Sequence, residues 1–384
     1  MPGTQAPPQQ GGSKQAPAQL APFRSGTQRT LSQDGYVNST QPGASATLLP
    51  DYNPSPNNYL AGLWIYVSAP ASGNSATVVF AGDGPLNVFS TVVFQDANQK
   101  PIVGPFDSYT LADVNKFGGY QNLGDPRASS QYQAITGSGS TAGTFQFVLY
   151  VPVQAVNRDG LGSLQNQSSS STFTLQLTLN TSGNIYSTAP STVPTVTTKI
   201  YEDGWWKSNK AGASSTPPKA GSTQYWTRGT YNSLSGSEQF QVSQGLGYPV
   251  RMYMLLDYNT ASSPNTRANG DSDFPDPFQV IFKGTSYWNV GKVFWKDQMS
   301  RWYGYYSTTA DSANGLENGV FIIPFHLSFT NVPGDELPHA YLSTNQGDLN
   351  QFIGTWSNTD KLYVVANYVA FVGAQPTGAQ PAAS

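Results

Sequence analysis

Runs of β-branched and aromatic residues, each bounded by Gly, Pro, Asn or Asp, recur along the whole chain and restrict it to a β architecture. The clearest is STFTLQLTLNT, Ser171 to Thr181, in which Phe173, Leu175, Leu177 and Leu179 alternate with Thr and Gln. A period of two places those four side chains on one face of a strand, so one face is buried and the other is wet. Similar runs begin at Leu60 (LAGLWIYVSA), Ala76 (ATVVFAG), Leu86 (LNVFSTVVFQD) and Thr144 (TFQFVLYVPVQAV). The second half adds TVTTKIYEDGWW, with its core from Val196, then YPVRMYMLLDY from Tyr248, FQVIFKG from Phe278, GVFIIPFHLSF from Gly319 and KLYVVANYVAF from Lys361. Helical spacing is scarce. The best case is Ser108 to Phe117, where Leu111, Val114 and Phe117 recur every third residue behind an Asp107 or Ser108 cap, and Gly118-Gly119 close it. Asn289 to Tyr303 is a weaker case, with Phe294, Met299 and Trp302 on one side, and the same residues also suit a hairpin.

Composition narrows the function classes. Charged residues are 11% of the 384, against about 25% in an ordinary soluble domain. The chain has no Cys, which excludes a disulfide scaffold, thiolate metal sites, iron–sulfur clusters and cysteine catalysis. Only two histidines occur, His326 and His339, so a histidine-rich metal centre is excluded too. A formal charge of −3 argues against a protein whose main task is to neutralise phosphates. No apolar stretch near Met1 suits a signal peptide, and the longest apolar run, Leu362 to Val372, is far short of the roughly 20 residues of a spanning helix. The expectation is a chain made in a cytoplasm.

Residues 1–57 and 373–384 are rich in Pro, Gln, Ala, Gly and Ser, a composition that buries too little apolar surface to offset its ordering entropy. They are read as a flexible arm and a flexible tail around a folded core. Within that core one succession occurs twice. In the first copy a long strand (Leu86 to Asp96) precedes a helix (Ser108 to Phe117), a strand containing Pro152 and a closing strand (Phe173 to Leu179). In the second, the long strand (Tyr248 to Tyr258) precedes a helical candidate (Asn289 to Tyr303), a strand containing Pro324 and a closing strand (Lys361 to Phe371). A Pro inside an apolar strand marks an edge or a bulge, since it cannot donate to the ladder. The expected units are 58–192 and 193–372.

Three stretches carry a family resemblance. Gly62 to Ile102, GLWIYVSAPASGNSATVVFAGDGPLNVFSTVVFQDANQKPI, is similar in strand order and turn spacing to the opening of a tectiviral first jelly roll. TFQFVLYVPVQAV resembles the aromatic strand ending in a Val-Pro step that follows there, and KIYEDGWW, Lys199 to Trp206, resembles the aromatic-acidic bridge between two jelly rolls. The chain thus resembles the double jelly-roll major capsid proteins of the tectivirus and adenovirus lineage, phage members included. It departs from them in a Gly/Ser/Pro insertion, Ser208 to Ser222, a turn-rich region, Asn259 to Pro277, and a polar N-terminal arm in place of a helical one. The resemblance implies an all-β fold of two consecutive eight-stranded jelly-roll β-sandwiches with one or two short flanking helices. It implies a structural shell subunit, not an enzyme, with no cofactor. Its partners would be two further copies in a homotrimeric pseudo-hexagonal capsomer, neighbouring capsomers, and penton and minor capsid proteins. No specific nucleic acid is implied, and an internal membrane beneath the shell is left open. The location would be the virion, assembled in a host cytoplasm.

Glu202-Asp203 and Asp335-Glu336 are adjacent carboxylates, and neighbours on a strand point to opposite faces, which suits an acid/base dyad poorly. Asp271, Asp273 and Asp276 could offer oxygens to Ca²⁺, though the rest of a calcium loop is missing and a solvated turn is the plainer reading. No Ser elbow accompanies His326 or His339, and no phosphate loop is present. Trp205, Trp206, Tyr225, Trp226, Trp302, Tyr303, Tyr305 and Tyr306 allow two readings: sugar-stacking aromatics of a carbohydrate-binding adhesin or spike, or aromatics buried between subunits or domains. For the second, the candidate contacts are Trp205, Trp206, Trp226, Trp302 and Tyr303.

Overall fold

The computed structural model describes residues 26–70, 77–121, 127, 129–155, 160, 162–166, 172–207, 224–242, 247–259, 266–267, 275–303, 319–325, 341–344, 348 and 350–369. In chain order the first part contains β1 (Thr27–Thr40), β2 (Thr47–Leu48), β3 (Asn58–Ala69), β4 (Val79–Phe80), β5 (Phe89–Gln95), β6 (Pro101–Phe106) and α1 (Ser108–Phe117). There follow β7 (Gln133–Ala134), β8 (Phe145–Pro152), β9 (Leu164–Asn166), β10 (Thr174–Leu179), α2 (Ser182–Ile185), β11 (Tyr186–Thr188) and β12 (Val196–Lys207). The second part contains β13 (Gln224–Val242), β14 (Val250–Asn259), β15 (Thr266–Arg267), β16 (Phe278–Phe282), β17 (Thr285–Val290), α3 (Lys292–Tyr303), β18 (Val320–Pro324) and β19 (Asn350–Val369).

Eight strands of the first part make a sandwich. One sheet runs β1-β12-β3-β8, and the other runs β2-β10-β5-β6. Counted along the chain these are strands 1-8-3-6 facing 2-7-4-5, the wiring of a jelly roll. Inward residues alternate as the sequence period requires: Leu63, Ile65 and Val67 of β3 meet Val92 and Phe94 of β5 and Leu175, Leu177 and Leu179 of β10 in one buried cluster.

The second part repeats this wiring with two of its joints unbroken. The start of β13, up to Tyr231, pairs with the end of β19, from Leu362; past a register shift, Gly236 to Val242 pair with Trp356 back to Asn350. Both long strands therefore pass from one sheet to the other, a corner made by an irregular ladder. Gly236 sits there at φ +75°, a left-handed conformation that a Cβ would strain. Split at that corner, the sheets read β13-β19-β14-β18 and β13-β19-β16-β17, again 1-8-3-6 and 2-7-4-5. In each unit the longer helix follows the fifth strand and precedes the sixth: α1 after β6, α3 after β17.

Several expectations are corrected. Residues from Thr27 on, read as part of a flexible arm, form the first two strands of the first unit: β1 runs antiparallel along β12, and Leu49 and Tyr52 are buried. Non-local pairing supplies what the polar sequence lacks. Residues 1–25 of that arm and the tail 373–384 lie outside the described residues. The division expected between 192 and 193 differs from the pairing as well, because β12 is hydrogen-bonded on both edges to β1 and β3 of the first unit. The duplicated succession holds for α1 with α3, and for β8 and β18, which end on Pro152 and Pro324 and are both sixth strands. Its other pairs are displaced by one place. β5 is a fourth strand but β14 a third, and β10 a seventh but the end of β19 an eighth; all are apolar central strands, so pattern alone cannot tell them apart.

Both helices form. Asp107 caps α1, its Oδ1 accepting from the Thr110 N–H at 2.8 Å, and Leu111, Val114 and Phe117 are buried as their spacing requires. α3 is a helix and not a hairpin, but its inward face is Trp295 and Met299, four residues apart, while Phe294 is 57% exposed.

Candidate assembly surfaces

The two units meet along a seam built by the first residues of β13. Alternation puts Gln224, Trp226 and Arg228 on the side facing the first unit, and the Trp226 backbone forms a parallel bridge with Val103 of β6. Trp226 is fully buried and packs edge-on against Tyr120, ring centroids 6.2 Å apart. Its Nε1–H donates to Gln224 Oε1 at 3.2 Å. That oxygen also accepts from the Tyr120 hydroxyl (2.6 Å) and Asn367 Nδ2 (3.1 Å), while Gln224 Nε2 donates to the Gln154 carbonyl (2.9 Å). One buried amide thus ties β13 and β19 to two segments of the first unit. A buried polar group that is hydrogen-bonded on both ends fixes geometry at little cost.

Helix α1 is held from the second unit at both ends. Arg228 Nη1 lies 2.9 Å from Asp107 Oδ2, so one carboxylate caps α1 and pairs with a cation across the seam. The Arg228 guanidinium also stacks 4.3 Å above the Tyr363 ring. At the other end the buried Arg251 donates to the Gly118 carbonyl (3.4 Å), placing positive charge at the negative end of the helix dipole. Phe117 of α1 packs edge-on against Tyr303 of α3, centroids 5.5 Å apart. Tyr258 donates to Asp83 Oδ2 at 3.1 Å farther along.

Of the candidate contact residues, then, Trp226 and Tyr303 sit at the seam. Trp205 is buried inside the first unit, its Nε1–H on Gln154 Oε1 at 3.1 Å and the Arg29 guanidinium 5.6 Å from its ring; Trp206 is at the surface. Trp302 is half-buried against the core. Burial removes Trp226 and Trp205 as sugar platforms. Tyr225 stacks on Tyr248 with Lys100 Nζ 5.5 Å above it, and Tyr305 and Tyr306 lie outside the described residues.

The adjacent carboxylates Glu202 and Asp203 go to different partners, as strand geometry dictates. Glu202 accepts from the Tyr52 hydroxyl (2.6 Å), the Ser55 N–H (2.5 Å) and Asn58 Nδ2 (3.2 Å). Asp203 takes both Arg29 Nε (2.8 Å) and Nη2 (2.5 Å), and the Tyr150 hydroxyl at 3.4 Å. Hydrogen bonding to Asp203 raises the Arg29 pKa, and burial foremost, with the Asp203 charge, pushes the Tyr150 phenol well above its usual value. Both carboxylates pin the early strands onto β12, each through its own set of partners. Asp335, Glu336, His326, His339, Asp271 and Asp273 lie outside the described residues, whereas Asp276 lies within them. Among the described residues no group of three or more His, Asp or Glu gathers as a metal site would require. Sequence reasoning missed Gln224, Arg228 and Arg251; the polar alternation QYWTR offered a strand signal, but nothing local shows what such a strand faces.

No family model and no curated protein matches the sequence. Solved structures do. The major capsid protein of Sulfolobus turreted icosahedral virus is similar with a TM-score of 0.59 at 13% identity, over 89% of this chain and 97% of that one. The capsid chain of the PBCV-1 virus gives 0.53 at 10%, over 89% and 94%. The major capsid protein of bacteriophage PM2 gives 0.50 at 9%, over 90% and 99%. The fold is the double jelly roll.

Proposed function

We propose that this chain is the major capsid protein of an icosahedral virion, a structural and non-enzymatic subunit working as a trimer. The observation that carries the reading is the pairing of two identically wired sandwiches in one chain through a buried seam. Two jelly rolls per chain turn a threefold assembly into a six-cornered block, and such blocks tile a nearly hexagonal lattice. The similar capsid chains support it, since the likeness spans nearly the full length on both sides. Neighbouring capsomers, penton and minor capsid proteins would be its partners, and host cytoplasm its place of assembly. The division between the units would fall in 208–223, after β12, the eighth strand of the first sandwich. Native mass spectrometry at micromolar concentration tests the reading: three chains of 41.2 kDa give about 124 kDa, and a lone monomer would overturn it.

A further inference from the structure

A second buried polar cluster lies inside the first sandwich, where β3 begins. Asn58 opens β3 and stands directly opposite Asn166 of β9, so the two side chains share one face of the ladder. Both are buried, at 0% and 1% exposure. Asn58 Nδ2 donates to Glu202 Oε2 of β12 at 3.2 Å. The segment that follows β2 closes over the same carboxylate, with the Tyr52 hydroxyl (2.6 Å) and the Ser55 N–H (2.5 Å) both on Oε1. The Asn166 amide holds that segment from its other side, Nδ2 donating to the Pro54 carbonyl at 3.0 Å and the Ser55 carbonyl at 2.8 Å. β3, β9 and β12, far apart in sequence, thus converge on one short loop.

These bonds leave oxygen over. With both of its N–H groups committed to carbonyls, the Asn166 amide cannot be turned round, and its buried Oδ1 has no hydrogen-bond partner. A buried acceptor without a partner is costly, and protein interiors satisfy such a group with water or an ion. The Pro54 and Ser55 carbonyls each keep a second lone pair beside it. Glu202, 3% exposed, brings a negative charge whose bonds from Tyr52, Ser55 and Asn58 come from neutral donors. Buried charges are paired or coordinate a metal. One carboxylate among neutral oxygens differs from the gathered acids or imidazoles of a tight metal centre. It suits a hard cation held through carboxylate, amide and carbonyl oxygens in flexible geometry, which Ca²⁺ accepts and Mg²⁺, reluctant to shed water, does not.

We propose that Glu202 and Asn166, with the carbonyls of Pro54 and Ser55, hold a Ca²⁺ ion that fastens the loop after β2 and strand β9 to β12. The site lies within one chain and needs no neighbouring copy, so it goes beyond the capsid reading and does not depend on it. With a single charged ligand its affinity falls at the weak end for Ca²⁺ sites, a Kd of about 10⁻⁴–10⁻³ M. Binding to the folded chain alone makes the first sandwich more stable in calcium than without it.

The test takes the full-length chain, stripped with EDTA and returned to CaCl₂ or MgCl₂ at equal ionic strength. About 10 mM CaCl₂ should raise the melting temperature in scanning calorimetry by about 3–10 °C, and MgCl₂ should not. Hydrogen–deuterium exchange of the wild type should then locate the ion, with slowing by Ca²⁺ confined to residues 52–58, to β9 and to the stretch of β12 around Glu202. Glu202→Gln keeps the shape and one accepting oxygen but removes the charge, and should lose the shift. The wild-type exchange map decides the matter even where that variant does not fold. An unchanged melting temperature, an equal shift in MgCl₂, slowing confined elsewhere, as in the acidic turn 271–276, or a shift that survives in folded Glu202→Gln would each overturn the proposal. All four leave untouched the oligomeric mass that tests the capsid reading.

Discussion

Replacing Trp226 by Ala should weaken the joint between the sandwiches without touching any surface. A buried aromatic of this size removes about 150–250 Å² from water. At roughly 25 cal/mol per Å² that is about 4–6 kcal/mol, an upper bound because unfolded chains already hide part of their surface. Measured truncations of buried Trp cluster at about 3–5 kcal/mol. The lost indole N–H adds little, since Gln224 Oε1 keeps the Tyr120 hydroxyl at 2.6 Å and Asn367 Nδ2 at 3.1 Å. The expected loss is therefore about 3–5 kcal/mol, dominated by the cavity. Trp226→Phe should cost clearly less. The assay is urea unfolding followed by circular dichroism at one fixed chain concentration, because association shifts apparent stability. A loss below about 1 kcal/mol would refute the reasoning, since a residue wedged between two units cannot vanish so cheaply.

Three further outcomes follow from the same geometry. Asp203→Asn should cost about 1–3 kcal/mol, less than a fully buried pair because Arg29 is 43% exposed, and should speed hydrogen exchange across β1 more than across β3; unchanged exchange in β1 would show that the ion pair does not hold that strand. Gly62→Ala should destabilise by roughly 1–3 kcal/mol in urea unfolding, because a Cβ there overlaps the Tyr150 ring, and Tyr150→Phe should fail to rescue it since the ring carbons collide as well as the hydroxyl. Burial raises the phenol pKa of Tyr150, Tyr186, Tyr253 and Tyr368. Their contribution is thus complete below the unfolded value of about 10 and is lost as pH rises above it, so stability should stay level through neutrality and fall in alkali, with ultraviolet titration showing late-ionising tyrosines.

What the sequence disclosed followed burial. β10 reads plainly because Leu175, Leu177 and Leu179 face the core every second residue, and α1 because its cap, its spacing and its terminal glycines agree. β1 was hidden because only Thr27 among its described side chains is buried; its strand state comes from β12, more than 150 residues away. β13 was hidden for a similar reason, with Gln, Thr, Arg and Ser along an edge whose partners are β19 and the other unit. The inward face of α3 is not legible in the sequence because Phe294 suits a core as well as Trp295 does, and only the sheet beneath selects between them. Scarcity of charge was legible at once, and it fits two units that bury surface against each other.

The most direct measurement of the central claim is an electron-microscopy class average of the purified oligomer. Two identically wired sandwiches per chain, three chains to a ring, predict a threefold particle with a hexagonal outline of six lobes. A particle with two-fold symmetry, or with three lobes and no pseudo-sixfold outline, would contradict it.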